Sequence, residues 1–130
     1  MKRFVFLTLV CFLLLITGCK QSTTSETYDM TGNWTGTIRI ASLGVSSVIN
    51  FTLAQNGSTV TGTFSTDRGR TGTFNGTLSG SSLTGTMTYD DACGGTASIA
   101  GTMKNATSMD GAGTVTDCNG SNSHTISIQK

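Results

Sequence analysis

The sequence has few charged residues, and their signs nearly balance. Eight lysine and arginine residues stand against seven aspartate and glutamate residues, so the 130-residue chain has a formal net charge of +1. A chain of this length is enough for one domain. The near-balance of positive and negative charges excludes the basic surface that binds nucleic acid. No stretch of about 10–15 residues beyond the N-terminus has helical apolar periodicity, which excludes an all-α or α/β fold.

Histidine and nucleophile motifs are scarce as well. His124 is the single histidine, and no serine or cysteine nucleophile motif accompanies it. Nucleophilic catalysis needs such partners, so the sequence predicts neither an enzyme nor a cofactor. A zinc site is not expected either, because two cysteines and one histidine at this spacing supply too few ligands.

The N-terminal segment has the features of an export signal in their usual order. Two basic residues at positions 2 and 3 precede an uncharged, mostly apolar stretch over residues 4–16, which is too short to span a bilayer comfortably. The tetrapeptide that follows, Ile-Thr-Gly-Cys ending at Cys19, resembles the bacterial lipobox. This resemblance implies that residues 1–18 are a signal peptide and that Cys19 carries acyl chains on its sulfur and its new amine. An ordinary signal peptide with a chance cysteine is the alternative.

Residues 19–30 hold the lipidated cysteine and a Ser/Thr-rich stretch without apolar periodicity, which is typical of a flexible tether. The folded domain is predicted over residues 31–130. In enteric lipoproteins an aspartate after the cysteine favours the inner membrane, whereas Lys20 stands there in this chain. The resemblance therefore implies a lipid-anchored protein of the bacterial cell envelope, at the outer membrane and facing the periplasm or the exterior.

Two cysteines remain once Cys11 leaves with the signal peptide and Cys19 takes the lipid. Export places Cys93 and Cys118 on the oxidising side of the membrane, which favours a disulfide between them over two free thiols. The bond would close a loop of about 25 residues and stabilise the fold by roughly 3–4 kcal/mol in the chain-entropy model.

The rest of the chain reads as eight short runs of alternating apolar and polar residues, separated by Gly, Ser, Asn and Asp turns. The predicted strands cover residues 33–40, 48–55, 59–65, 71–79, 83–90, 96–104, 108–116 and 123–129. One face of each run is apolar, as in a sheet with one buried face. Hairpin-linked strands of this kind predict an all-β fold, a small eight-stranded antiparallel up-and-down β-barrel. A β-sandwich is the alternative, and a transmembrane barrel would instead turn its apolar residues outward.

A closed barrel makes two predictions about its ends. Cys93 and Cys118 fall in loops of the same rim, as a disulfide requires. At the opposite rim, which has the tight turns, the inward residues are Trp34, Leu53, Val60, Leu78, Leu83, Met103, Met109 and Ile128. The next level holds Gly36, Phe51, Gly62, Gly76, Gly85, Gly101, Gly111 and Ile126. Bulky side chains leaning into the space above glycine explain this pattern, and an empty cavity is the alternative.

The tripeptide Gly32-Asn33-Trp34 opens the first strand and resembles the G-x-W motif of the calycin superfamily, which groups lipocalins and avidins. Residues 30–35 and 61–64 look particularly avidin-like. Avidins line their biotin pocket with several tryptophans, whereas this chain has one, so biotin binding is not implied. Lipocalins are longer and pack a basic residue on the motif's tryptophan, for which Lys130 is a poor match.

Three function classes follow from this architecture. The first is a barrel that binds a small, largely apolar ligand at the wide rim, with contacts from Phe64, Phe74, Met87, Tyr89 and His124. The second is a protein-binding or inhibitor module, similar in size to protease-inhibitor and lysozyme-inhibitor barrels, that uses its loops. The third is a structural envelope lipoprotein with a filled core and no ligand. An internal cavity would favour the first class over the other two.

Two charged loops complete the candidates. Asp90, Asp91 and Asp117 lie beside the predicted disulfide and offer carboxylates for Ca²⁺, with solvated loop acids as the alternative. Residues 67–70 form a hairpin tip with two arginines, which predicts either an anion site or a soluble turn.

Overall fold

The computed structural model describes residues 26–130, so the predictions on the signal peptide, Cys19 and most of the tether lie outside the described residues. The strands are β1 (Gly32–Ile40), β2 (Val45–Asn56), β3 (Thr59–Thr66), β4 (Thr71–Ser79), β5 (Ser82–Tyr89), β6 (Thr96–Asn105), β7 (Ser108–Asp117) and β8 (Gly120–Gln129). A 3-10 turn (Ala41–Leu43) joins β1 to β2. Within residues 26–130, no helix is long and apolar enough to cross a membrane.

Each strand pairs antiparallel with the next, and β1 also pairs with β8, so the sheet closes into a barrel. This closure confirms the predicted up-and-down barrel and rules out the sandwich, since no free edge remains between the first and last strands. The apolar side chains point inward and form one core. β2 and β8 each begin three residues earlier than predicted, at Val45 and Gly120, because both strands continue pairing up to their hairpin turns.

The strands are staggered, so the flat levels predicted from the sequence hold only in part. They are confirmed where Leu78 pairs with Leu83 and where Met109 pairs with Met103 and Ile128, and they are wrong across β1–β4. Trp34 pairs with Phe51 instead of lying level with Leu53, and Val60 pairs with Gly76. Closing a barrel requires tilted strands and a cumulative shear between them. Counting residues from each turn leaves out this shear. The inward glycines therefore form a stepped band along the barrel rather than a ring.

The interpretation of these glycines as packing sites agrees with the structure. A Cβ atom on Gly85 would lie 2.5 Å from Phe74 Cζ, and a Cβ atom on Gly101 would lie 2.7 Å from Met109 Sδ. The space beside these two glycines is thus occupied by a bulky side chain, as large-over-small packing requires. The void left among these side chains measures only about 10 Å³.

Residues 30–34 close this packed end, which we call the narrow end. Trp34 is 1% exposed, and its Nε1 donates a hydrogen bond to the Met30 carbonyl oxygen at 2.8 Å. Met30, predicted to end the tether, is fully buried, and its N–H donates to Gln55 Oε1 at 2.8 Å. Met30 is therefore part of the core that closes the narrow end, and the packed domain begins before residue 31.

Lys130 packs on Trp34, contrary to the prediction from the sequence. Its Nζ lies 5.8 Å from the centroid of the Trp34 ring and donates to the Asp29 carbonyl oxygen at 3.4 Å. A cation over an indole face is attracted by the ring quadrupole. The C-terminal residue thus packs on the tryptophan of the G-x-W tripeptide, and its assignment as a poor match is wrong.

Candidate functional site

A cavity of about 320 Å³ opens at the wide end, opposite Trp34. Its apolar wall comes from inward residues near the strand ends and from the 3-10 turn. The lining consists of Ile38, Ile40, Leu43, Val45, Tyr89 and Val115 together with the polar or charged Ser47, Thr66, Arg68, Arg70, Asp117, Asn119 and Asn122. The barrel interior is therefore packed at one end and open at the other.

The loop between β1 and β2 forms a lip over the cavity. Gly44 has φ +62°, a left-handed conformation that favours glycine, and its N–H closes the 3-10 turn on the Ala41 carbonyl oxygen at 3.1 Å. This turn leaves the Leu43 side chain 56% exposed at the mouth. Ser42 Oγ donates to Asn122 Oδ1 at 2.9 Å, which ties the lip to β8.

Arg70 connects three hairpins at the mouth. Its Nε donates to Asp91 Oδ2 at 2.6 Å and its Nη1 to Asp117 Oδ2 at 3.1 Å, and a further N–H reaches the Gly94 carbonyl oxygen at 3.2 Å. Hydrogen bonding from Arg70 is the main cause that holds the pKa of Asp91 below its ordinary value. The guanidinium also lies over the Tyr89 ring, 3.8 Å from its centroid.

This network changes the interpretation of both charged loops. Two of the three carboxylates predicted to hold Ca²⁺, Asp91 and Asp117, bind a guanidinium instead. Asp117 does lie near Cys93 and Cys118, but those cysteines are bonded to each other and offer no thiolate. Arg70 is one of the two arginines of the predicted anion site, and its positive charge is already paired with two carboxylates.

A disulfide joins Cys93 to Cys118 at the same rim, with their Cα atoms 5.4 Å apart. The predicted pairing is confirmed. The bond holds the loop after β5 against the turn between β7 and β8. It therefore fixes the position of the two carboxylates that Arg70 binds.

The five residues predicted to contact a ligand lie at different depths below the mouth of the cavity. Tyr89 lines the cavity, whereas Phe64, Phe74 and Met87 are buried among core side chains and are absent from the cavity wall. Phe64 meets the Tyr89 ring edge-on, with centroids 5.2 Å apart, and so supports the cavity wall from below. Phe74 instead fills the space beside Gly85 in the narrow half.

His124, the fifth predicted contact, lies just beneath the cavity. It is 2% exposed, and neither ring nitrogen has a hydrogen-bond partner among the described residues. Burial lowers the pKa of this histidine below its ordinary value, because the charged imidazolium would lose its hydration. The ring is therefore neutral at neutral pH.

Several wall residues were not predicted as contacts. Ile38, Ile40 and Val115 have the inward parity of the core, and parity alone does not separate a cavity wall from a packed interior. Ser47 was missed because β2 was predicted to begin at residue 48. Ser47 has the same parity as Ile49 and Phe51, so it is a polar side chain on the apolar face of β2. This parity would have identified Ser47 as an inward residue.

Comparison with known proteins supports the fold. No protein-family model and no curated protein sequence matches the chain. A redesigned β-barrel, mFAP1, bound to DFHBI has a TM-score of 0.60 and 19% identity, covering 77% of this chain and 94% of that one. The redesigned β-barrel b11L5F_LGL has a TM-score of 0.63 and 19% identity, covering 77% and 90%. EF1p2_mFAP2b bound to DFHBI has a TM-score of 0.63 and 18% identity, covering 77% and 92%.

Proposed function

We propose that this protein is a lipid-anchored bacterial lipoprotein whose barrel binds a small, largely apolar ligand in the wide-end cavity. The observation that carries the proposal is the unequal interior, with a void of about 10 Å³ at the narrow end and a cavity of about 320 Å³ at the wide end. The larger volume falls at the lower end of the usual range for small-molecule sites, roughly 300–1,000 Å³. Two similar barrels were solved bound to the small molecule DFHBI, which supports the same use of this architecture.

The lipobox-like tetrapeptide ending at Cys19 supports the anchor. The described chain enters the barrel at the narrow end, where Met30 is buried. A tether from Cys19 would therefore attach the packed end to the membrane and keep the cavity mouth away from it. We place the protein in the cell envelope, at the outer membrane and facing the periplasm or the exterior. We propose no enzymatic activity for the site.

A protein-binding module is the second candidate. Leu43 stands 56% exposed on the lip of the cavity, and loops on a rigid scaffold are frequent binding sites. A structural envelope protein with a filled core is less well supported, because the wide end holds a cavity of about 320 Å³.

Native mass spectrometry tests the ligand proposal. The protein is released gently from membranes and compared with Val115→Phe, which adds volume inside the cavity. We expect the wild-type protein to carry a bound small molecule that the variant has lost. An unliganded wild-type protein, or an adduct retained in full by the variant, would contradict binding in this cavity.

Membrane fractionation of Cys19→Ala tests the anchor separately. We expect the variant to leave the membrane fraction or to accumulate unprocessed. A variant that matures and fractionates like the wild type would contradict lipidation, while leaving the ligand proposal intact.

A further inference from the structure

The buried imidazole of His124 lacks a hydrogen-bond partner for either nitrogen among residues 26–130. A buried polar group without a partner is costly, and in native proteins such groups nearly always bind protein, water or ligand. Residues 26–130 supply no such partner to His124, so its partner is a bound molecule or a group outside these residues.

The position of His124 shows where such a partner would enter. On β8 the neighbouring inward residues are Asn122 above and Ile126 below. Asn122 pairs with Val115 of β7, and Ile126 pairs with Ile38 of β1. Asn122, Val115 and Ile38 all line the wide-end cavity. His124 thus lies one inward position below the lining residue Asn122, and it is not itself part of the cavity wall.

The charges around the cavity restrict the chemistry of that partner. Two arginines line the cavity, and both lie at its mouth. The Arg70 guanidinium is engaged by Asp91 and Asp117. Arg68 has no carboxylate partner within residues 26–130, but it is exposed on its hairpin and donates to the Ser46 carbonyl oxygen at 3.5 Å, so neither guanidinium accompanies an anion to His124. A neutral imidazole offers one donor and one acceptor. A carboxylate buried beside it would gain an opposite charge only if the imidazole took up a proton, which burial opposes. A hydroxyl group fits, because it can donate to one imidazole nitrogen and remain uncharged.

We infer that the ligand of this cavity has an apolar body and an uncharged hydroxyl that enters first and hydrogen-bonds to His124. This inference rests on the proposed function and adds the ligand class to it. Ser47, the other buried polar side chain facing the barrel interior, is 6% exposed in the cavity wall. It gives a hydroxyl-bearing ligand a second polar contact on β2.

A matched pair of probes tests the inference, since 2-naphthol and naphthalene differ by one hydroxyl. The full chain is kept in dodecylmaltoside, and dialysis fixes the free concentration of each probe. His124 is the only histidine, so ¹⁵N-histidine labelling reports on this one imidazole. We expect 2-naphthol to bind about tenfold more tightly than naphthalene, as one additional hydrogen bond allows, and to shift the imidazole ¹⁵N resonances.

Three variants separate the hydrogen bond from packing. His124→Leu should abolish the preference for 2-naphthol, and His124→Gln, which keeps a donor and an acceptor, should retain most of it. Ile126→Leu, one inward position deeper on the same strand, is the packing control and should keep the wild-type preference.

The outcomes distinguish this inference from the proposed function. Equal affinities for the two probes, with backbone amide shifts at Ile38 and Val115 in uniformly ¹⁵N-labelled protein but unchanged imidazole resonances, would overturn the role of His124 and leave cavity binding in place. Such a result would assign water as the partner of His124. Failure of both probes to bind would overturn the proposed cavity binding and this inference together.

Discussion

The two ends of the barrel are built from the same alternating strands but are held together differently. At the narrow end, bulky side chains such as Phe74 and Met109 occupy the space beside inward glycines, and Trp34 closes the base. At the wide end, the interior opens into a cavity, and the loops are joined by a disulfide and by the Arg70 ion pairs. Dense packing stabilises one end, whereas cross-links between loops maintain the shape of the other. A binding site can exist where packing is incomplete only if other bonds hold its walls.

The largest expected effect comes from removing the wide-end cross-link. Cys93→Ser combined with Cys118→Ser should lower the free energy of unfolding by about 3–4 kcal/mol, because a loop of about 25 residues is no longer closed in the unfolded chain. Urea denaturation measures the loss, and the wild-type protein under reducing conditions is the control. A change below about 0.5 kcal/mol would show that the wide end does not depend on this bond.

A smaller loss is expected at the narrow end from Gly85→Val, at about 1–3 kcal/mol, because the added side chain would collide with the Phe74 ring. Thr84→Val is the matched control, since Thr84 is the exposed neighbour on the same strand. Thermal or urea unfolding compares the two variants. Equal stabilities for both would indicate unfilled space beside Gly85 and would remove the contrast between the ends.

Arg70→Met should cost about 1–2 kcal/mol, because Asp91 and Asp117 lose their shared partner at a site where the arginine side chain is 28% exposed. The same change should increase hydrogen exchange in the loop between β5 and β6. Arg68→Met on the same hairpin is the control, since Arg68 has no carboxylate partner within residues 26–130. Unchanged exchange in that loop would show that the disulfide alone holds the mouth.

The pH dependence of stability gives the smallest effect. Burial lowers the pKa of His124 in the folded state, so the unfolded chain takes up this proton first as the pH falls through about 6.5. The free energy of unfolding should therefore decrease as the pH falls from neutral to the folded pKa of His124. Below that pKa, the contribution of His124 should no longer change with pH. The His124→Gln variant should lack this decrease. Urea midpoints of the two proteins, measured between pH 7 and pH 5, test the difference. An identical slope in both proteins would contradict the assignment.

The contribution of Asp91 to stability changes with pH in a separate, more acidic range. Asp91 has a folded pKa below its ordinary value of about 3.9, so its contribution is complete above that pH and is lost only in stronger acid. The contributions of His124 and Asp91 can therefore be distinguished in one titration.

The sequence predicted the strands, the barrel and the disulfide because each leaves a local or countable signal. Period-2 alternation marks a strand, and the parity of the loops places Cys93 and Cys118 at one rim. Register was predictable only in part. Counting from the turns gave the pairing of Leu78 with Leu83, whereas the pairing of Trp34 with Phe51 depends on the shear of the whole closed sheet. Arg70 was seen as part of a charged turn, but its partners come from other hairpins and have no sequence signal. Burial of Met30 was missed for the same reason, since its contacts with Trp34 and Gln55 form only in the folded barrel.

Backbone amide shift mapping during titration with naphthalene tests the division of the barrel most directly, because an apolar probe reports on the cavity without depending on His124. We predict perturbations at the wide end, at Ile38, Val45, Ser47 and Val115, and none at the tight turns around Gly57, Gly80 and Ala106. Perturbations confined to those turns would contradict it, because they would place the binding site at the end that packing closes.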